Sequence, residues 1–274
     1  MFKSRYVAKF PDARGFIPYS DEENHVWYRL YERQQRIIKD YACDTFLEGL
    51  DLLKFPEDRV PQVKEINHTL GNITGWGVHP VHAIIPAEEF FTLLSQKKFP
   101  AANFIRSPEE FDYVTEPDIF HEYFGHLPML TCQTYADFME HYGKIALAST
   151  EIERHYLARL YWFTVEFGLI QTAGKVKNYG GGILSSPSEA IYAVDSEIPE
   201  RRPFQDGLSA LRTPYRIDIL QPIYYILNSF SDLYDLLRDP SHLLRLVGKA
   251  ITLGDYAPTF PPVEDSSQPE DALC

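Results

Sequence analysis

The chain has 274 residues, and its 26 Lys plus Arg stand against 39 Asp plus Glu, a formal charge of -13. So acidic a surface repels phosphate backbones and anionic lipid, which excludes nucleic acid and membrane surfaces as general partners. With 45% hydrophobic and 14% aromatic residues a sizeable core is available, and no apolar run approaches the roughly 20 residues that span a bilayer.

Met1 to Phe10 lacks the apolar stretch and cleavage site of a secretory signal. Cys43, Cys132 and Cys274 are three widely spaced cysteines, a set that makes neither a disulfide framework nor a zinc cluster. A soluble protein of the reducing cytoplasm is expected. Residues 1–17 read as an N-terminal extension, 18–260 as one domain, and the polar, proline-bearing, acidic 261–274 as a disordered tail.

Ser20 and Glu23 have capping-box spacing, and Trp27, Tyr31, Gln34, Ile38 and Tyr41 then recur at helical intervals. Pro61 opens a second helix through Val63, Ile66 and Leu70, stopped near Gly71, and Pro86 opens a third through Leu94. Between them His79 to Ile85 reads as extended, and Asn103 to Arg106 as a strand or an ordered loop. Pro117 suits the first turn of a helix carrying His121 and His126. Helical patterns cover about 135–148 and 151–172, and Pro240 divides a terminal helix pair. Tyr192 to Val194 and Arg216 to Ile219 are strand candidates. No repeat, heptad run or regular strand–helix alternation is present, so the fold class is mainly α (α+β), one domain of many helices with small, short-stranded sheets.

The chemistry concentrates in Pro117-Asp118-Ile119-Phe120-His121-Glu122-Tyr123-Phe124-Gly125-His126 and in Tyr161 to Gly168, which holds Glu166. Two imidazoles and a carboxylate are the donors of a mononuclear non-haem iron(II) site with open positions for oxygen and substrate. Five residues separate the histidines by about 140° on an ideal helix, so an undistorted helix does not bring them together. Gly125 and Pro128 allow a change of course there. Glu166 sits among apolar neighbours, where a lone carboxylate costs several kcal/mol, a cost of about that size unless a cation or donors compensate. A metal does so, and so does an Arg or Tyr partner. From these residues alone iron ligands and satisfied core histidines both stand. The spacing differs from the His-Glu-x-x-His zinc-protease pattern, because Gly125 occupies the fourth position after His121, which leaves a zinc hydrolase as a lesser alternative and an inert binding module as a third.

Beyond those two segments, Thr74-Gly75-Trp76, Pro80-Val81, Ile105-Arg106, Tyr179-Gly180-Gly181-Gly182-Ile183-Leu184-Ser185-Ser186 and Gln221-Pro222-Ile223-Tyr224-Tyr225 complete a set. In this order, over about 18–258, the chain resembles the catalytic domain of the pterin-dependent aromatic amino acid hydroxylases, and the bacterial phenylalanine hydroxylases among them. The resemblance implies Fe(II) held by His121, His126 and Glu166. It implies a tetrahydropterin, tetrahydrobiopterin or a bacterial form, against Phe90, Ala83, Ile85 and Glu122. Arg106 resembles the clamp for the amino acid carboxylate, oriented by Asp118, while Pro117, Trp162, Gly182 and Ser185 match the substrate pocket, Ser185 also supporting His121. The implied reaction converts L-phenylalanine to L-tyrosine with O2. Trp162 and Ile217 lean toward phenylalanine, since tryptophan hydroxylases carry a smaller aromatic at the first position and tyrosine hydroxylases an acid at the second. The resemblance further implies a monomer or dimer rather than the tetramer of longer family members.

Overall fold

The computed structural model describes residues 4–82 and 85–260. Ala83, expected beside the pterin, and the acidic stretch 261–274 lie outside the described residues. The chain runs through α1 (Asp21–Tyr41), α2 (Asp44–Leu53), α3 (Val63–Ile73), β1 (Gly77–Val81), α4 (Ala87–Ser95) and β2 (Lys98–Ala102). It continues with α5 (Gln133–Ala148), α6 (Glu151–Tyr161), β3 (Gly168–Thr172), β4 (Lys175–Asn178), α7 (Gly181–Ser185) and α8 (Pro187–Asp195). The last elements are β5 (Glu200–Pro203), α9 (Leu208–Arg212), β6 (Ile223–Leu227), α10 (Ser231–Arg238) and α11 (Pro240–Leu253). Two π-helical segments, His121–His126 and Trp162–Glu166, carry the candidate ligands.

Helices dominate, as the periodicity predicts. The α1 capping box forms, with the Glu23 amide donating to Ser20 Oγ at 3.2 Å and the Ser20 amide to Glu23 Oε2 at 2.6 Å. Its apolar stripe buries Val26, Trp27, Leu30, Tyr31 and Ile38. That stripe seats the ligand segment: Phe120 and Phe124 stack at 4.9 Å, Trp27 meets Phe120 edge-on at 5.6 Å, and Tyr31 meets Phe124 at 5.6 Å. Phe120 and Phe124 flank His121 in sequence, so this aromatic cluster fixes the backbone from which the first imidazole projects. Truncating Phe124 to Ala costs about 3–5 kcal/mol.

Two small sheets complete the fold. β1 and β2 pair in parallel, and a second sheet has the order β4-β3-β6-β5, antiparallel only between β3 and β4. β3 follows directly on the second π segment, so the sheet anchors the chain just beyond Glu166.

Three local expectations change. The helix read over 151–172 ends in the π segment at Glu166, and Gly168–Thr172 is a strand. A Cβ at Gly168 would lie 2.2 Å from the Tyr179 ring and 2.3 Å from the Thr164 carbonyl oxygen, so the close approach turns the chain where periodicity alone continues it. Tyr192 to Val194 belongs to α8, started by Pro187 and the Ser186 hydroxyl cap rather than by a strand pattern. Arg216 to Ile219 is an irregular loop, and α2 has no counterpart in the sequence reading.

Candidate active site

The widening of the helix brings the two histidines together. A π turn bonds residue i to i+5, so positions 121 and 126, which diverge on an α-helix, fall on one face. Their Nε2 atoms lie 3.0 Å apart. The approach is thus made within a π segment that runs on into a 3-10 turn over Leu127–Thr131, at the place where Gly125 and Pro128 allow a change of course in the sequence. The second π segment delivers Glu166, whose Oε1 is 3.2 Å from His126 Nε2 and whose Oε2 is 3.7 Å from His121 Nε2.

These spacings fit a bound cation. Two ligand atoms at about 2.1 Å from a metal and at right angles to each other are about 3 Å apart. Ser185 Oγ donates to the Gly181 carbonyl at 2.9 Å and sits 2.9 Å from His121 Nδ1. With its single proton so engaged, the hydroxyl accepts from Nδ1–H, and the Nε2 lone pair of His121 faces Glu166 and His126. Burial pushes the His121 imidazole down to about 4, against the pull of Glu166. Burial also works to raise the Glu166 carboxyl, but the neighbouring His126, His121 and the Gly182 amide outweigh it and leave the group below its ordinary value. Glu166 Oε1 is nonetheless fully buried without a hydrogen-bond donor. An anionic oxygen and an imidazole lone pair thus converge with His126 in a buried place, which a divalent cation satisfies at once.

The glycine run after β4 closes over this cluster. A Cβ at Gly181 would stand 2.3 Å from His126 Cε1, one at Gly180 2.3 Å from the Glu166 carbonyl oxygen, and one at Gly125 2.6 Å from the Gly181 carbonyl oxygen. Only backbone fits between the two ligand segments, a constraint the sequence reading left unassigned at Gly180 and Gly181.

Beside the cluster opens a cavity of about 440 Å³ lined by Arg106, Pro117, His121, Trp162, Glu166, Gly182 and Ser185, together with Ile217 and Glu189. Arg106 Nε donates to Asp118 Oδ2 and Nη2 to Oδ1, each at 2.8 Å. Asp118 also accepts the amides of Arg106 and His121 at 3.0 and 3.1 Å, so one carboxylate ties the guanidinium to the backbone of the first histidine. Burial would raise the Asp118 carboxyl, but Arg106 holds it below the usual range. One edge of the guanidinium is used in this way, while on the other side Nη1 makes only a long bond of 3.5 Å to the Phe111 carbonyl.

Sequence comparison separates the possible chemistries. The family described as biopterin-dependent aromatic amino acid hydroxylase matches residues 5–249. The chain belongs to that family. It is 51% identical to the phenylalanine-4-hydroxylase of Vibrio cholerae over 261 residues, 95% of this chain and 89% of the relative. Its fold is similar to that of the cold-active phenylalanine hydroxylase of Colwellia psychrerythraea, with TM-score 0.91, 52% identity and coverage of 93% of this chain and 98% of the other. It is also similar to Chromobacterium violaceum phenylalanine hydroxylase with bound oxidized Fe(III), with TM-score 0.86, 38% identity and coverage of 97% and 93%.

Of the residues expected on the pterin side, the described ones, Phe90, Ile85 and Glu122, are not part of this cavity lining. Phe90 is buried in the core, edge-on to Tyr161 at 5.5 Å. Ile85 is partly buried and packs on the same core. Glu122 is buried, and burial, with Glu166 and Asp118 adding to it, drives its carboxyl well above the ordinary value. What the sequence reading missed is the support behind Trp162. Tyr215 stacks on the indole at 4.4 Å, Phe167 packs at 4.5 Å, and Gln221 Oε1 accepts from Nε1 at 3.0 Å. Gln221 stood in a matched motif, but nothing local pointed to its partner 59 residues away.

Proposed function

We propose that this hydroxylase is a phenylalanine 4-monooxygenase that forms L-tyrosine from L-phenylalanine, O2 and a tetrahydropterin at mononuclear iron(II). The observation that carries the reading is the convergence of His121, His126 and the unpartnered Glu166 oxygen beside a cavity whose wall includes Arg106. Bound at these three residues, iron together with the pterin supplies the activated oxygen that hydroxylates the ring.

The chain's own residues place the reactants. Arg106 takes the substrate carboxylate on the edge turned away from Asp118, where the carboxylate replaces the long Nη1 bond to the Phe111 carbonyl and a planar guanidinium offers parallel N–H donors, and Asp118 keeps it aimed. Trp162, Pro117 and Gly182 form the walls for the aromatic ring, with Ile217 adding an apolar side chain where an acid would favour a phenol. Ser185 holds the His121 tautomer. Phe90, Ala83 and Ile85 are assigned to the pterin ring. Glu122 is assigned to a hydrogen bond with the amide-like edge of that heterocycle. Residues 18–260 are proposed as the catalytic unit, working in the cytoplasm as a monomer or dimer. In support, no helix among the described residues is long and apolar enough to cross a membrane, and Cys43 and Cys132 are free thiols.

The test is anaerobic loading with iron(II), verified by metal analysis, followed by oxygen, tetrahydropterin and phenylalanine. Tyrosine formed in step with oxygen consumed is the expected result. Iron-loaded protein that forms no tyrosine overturns the reading, and gel filtration decides the assembly state.

A further inference from the structure

Gln221 is almost wholly buried, at 1% exposure, and spends its entire carboxamide on the cavity wall. Its oxygen accepts the Trp162 indole N–H at 3.0 Å, while its nitrogen donates to the carbonyls of Arg216 at 2.8 Å and Ile219 at 2.9 Å. The partners dictate the amide orientation, because an indole N–H can only donate and two carbonyls can only accept. The backbone is pinned too, since the Gln221 amide donates at 3.0 Å to Glu189 Oε1, which also accepts from the Tyr224 hydroxyl.

What these bonds hold is the part of the cavity that touches a ring. Trp162 and the loop residues Ile217 and Ile219 line it. Stacking on Tyr215 fixes the plane of the indole, Phe167 packs beside it, and the single hydrogen bond at Nε1 sets its edge. Trp162 also begins the π segment ending at Glu166, and its carbonyl accepts from the Phe167 amide at 2.8 Å. We infer that Gln221 is a positioning residue that sets the ring pocket, and with it the choice among aromatic amino acids, by locking the Trp162 edge to the 216–220 loop. No other simple side chain of this size supplies one acceptor and two donors in that plane. Glu lacks the donors and Leu lacks both.

The inference rests on phenylalanine hydroxylation at this site, and the test separates the two. Gln221→Leu and Gln221→Glu are made alone and in a Trp162→Phe background. Each is assayed for iron content, Tm, calorimetric binding of phenylalanine and tryptophan, kcat and KM for both, and tyrosine formed per tetrahydropterin oxidised. Loss of one buried hydrogen-bond set predicts a fall of about tenfold in kcat/KM for phenylalanine. With it come a narrowed preference over tryptophan, less tyrosine per pterin and iron content unchanged. In the Trp162→Phe background, where no indole N–H remains to be held, the same Gln221 change costs clearly less. Equal losses for both substrates, unchanged tyrosine per pterin, or full additivity with Trp162→Phe would reduce Gln221 to a structural residue. If Gln221→Leu does not fold, Gln221→Glu carries the same comparison. If wild type makes no tyrosine, the hydroxylase reading fails, and the ranking of phenylalanine over tryptophan in binding still decides the role of Gln221.

Discussion

Arg106 and Asp118 form a buried, two-pronged ion pair, and the same Asp118 oxygen that receives Nη2 also receives the His121 amide. The proposed anion clamp and the first proposed metal ligand therefore share one anchor, so a change at position 118 reaches both.

Asp118→Asn should weaken phenylalanine binding about tenfold or more while lowering stability. Removing one partner of a buried pair costs about 3–5 kcal/mol, and in a chain of this size each kcal/mol is worth roughly 2–4 °C in Tm. Calorimetry with phenylalanine and thermal melts check both. Unchanged affinity in a folded variant would show that the clamp does not depend on Asp118.

Gly181→Ala should cost about 10–100-fold in iron affinity, the usual scale for disturbing the support of a metal ligand, because the new methyl would overlap the His126 ring at 2.3 Å. Gly248→Ala on α11 is the control. A Cβ there meets nothing within 4 Å, so it should leave iron alone and add about 0.5–1 kcal/mol of stability. Iron titrations of the two variants read the difference.

Replacing His126 or Glu166 by Ala should abolish tight iron binding and tyrosine formation, with the helical fold retained in circular dichroism. Iron(II) at about 100 times its dissociation constant stabilises the native state by about 2.7 kcal/mol, so wild-type Tm should rise on loading. Neither variant should show that rise. A variant that melts higher with iron keeps a working site and removes the substituted residue from it.

Glu189 gives a pH prediction. Burial raises its carboxyl above the ordinary value, only partly offset by donation from Tyr224 and the Gln221 amide. A folded pKa above the unfolded one means that the neutral form is favoured in the native state. Its contribution is therefore complete below about pH 4.5 and is lost as pH rises through the folded value. Glu189→Gln keeps an acceptor for both donors and cannot ionise. Tm of wild type minus Tm of this variant should fall between acid and neutral pH, and a difference that rises with pH would show Glu189 stabilised as an anion.

Much of the molecule was written locally. The Ser20 box, the α1 stripe and the proline-led starts of α4 and α11 depend on neighbours within a few residues, so periodicity and capping sufficed to place them. The donor set was legible as well, because His121, His126 and Glu166 are unusual in apolar company, and the family motifs gathered the pocket residues in order. Folding decided what short-range pattern cannot encode. Whether His121 and His126 share a face depends on one extra residue per turn in the π segment, which the 3.6-residue period denies and the packing of Phe120 and Phe124 on α1 supports. Tyr192 to Val194 lies in a helix started by a cap upstream, although its β-branched and aromatic residues suit a strand. The glycines at 180 and 181 and the amide of Gln221 acquire meaning only through partners brought from distant parts of the chain, because close approach and hydrogen-bond complementarity are properties of assembled surfaces.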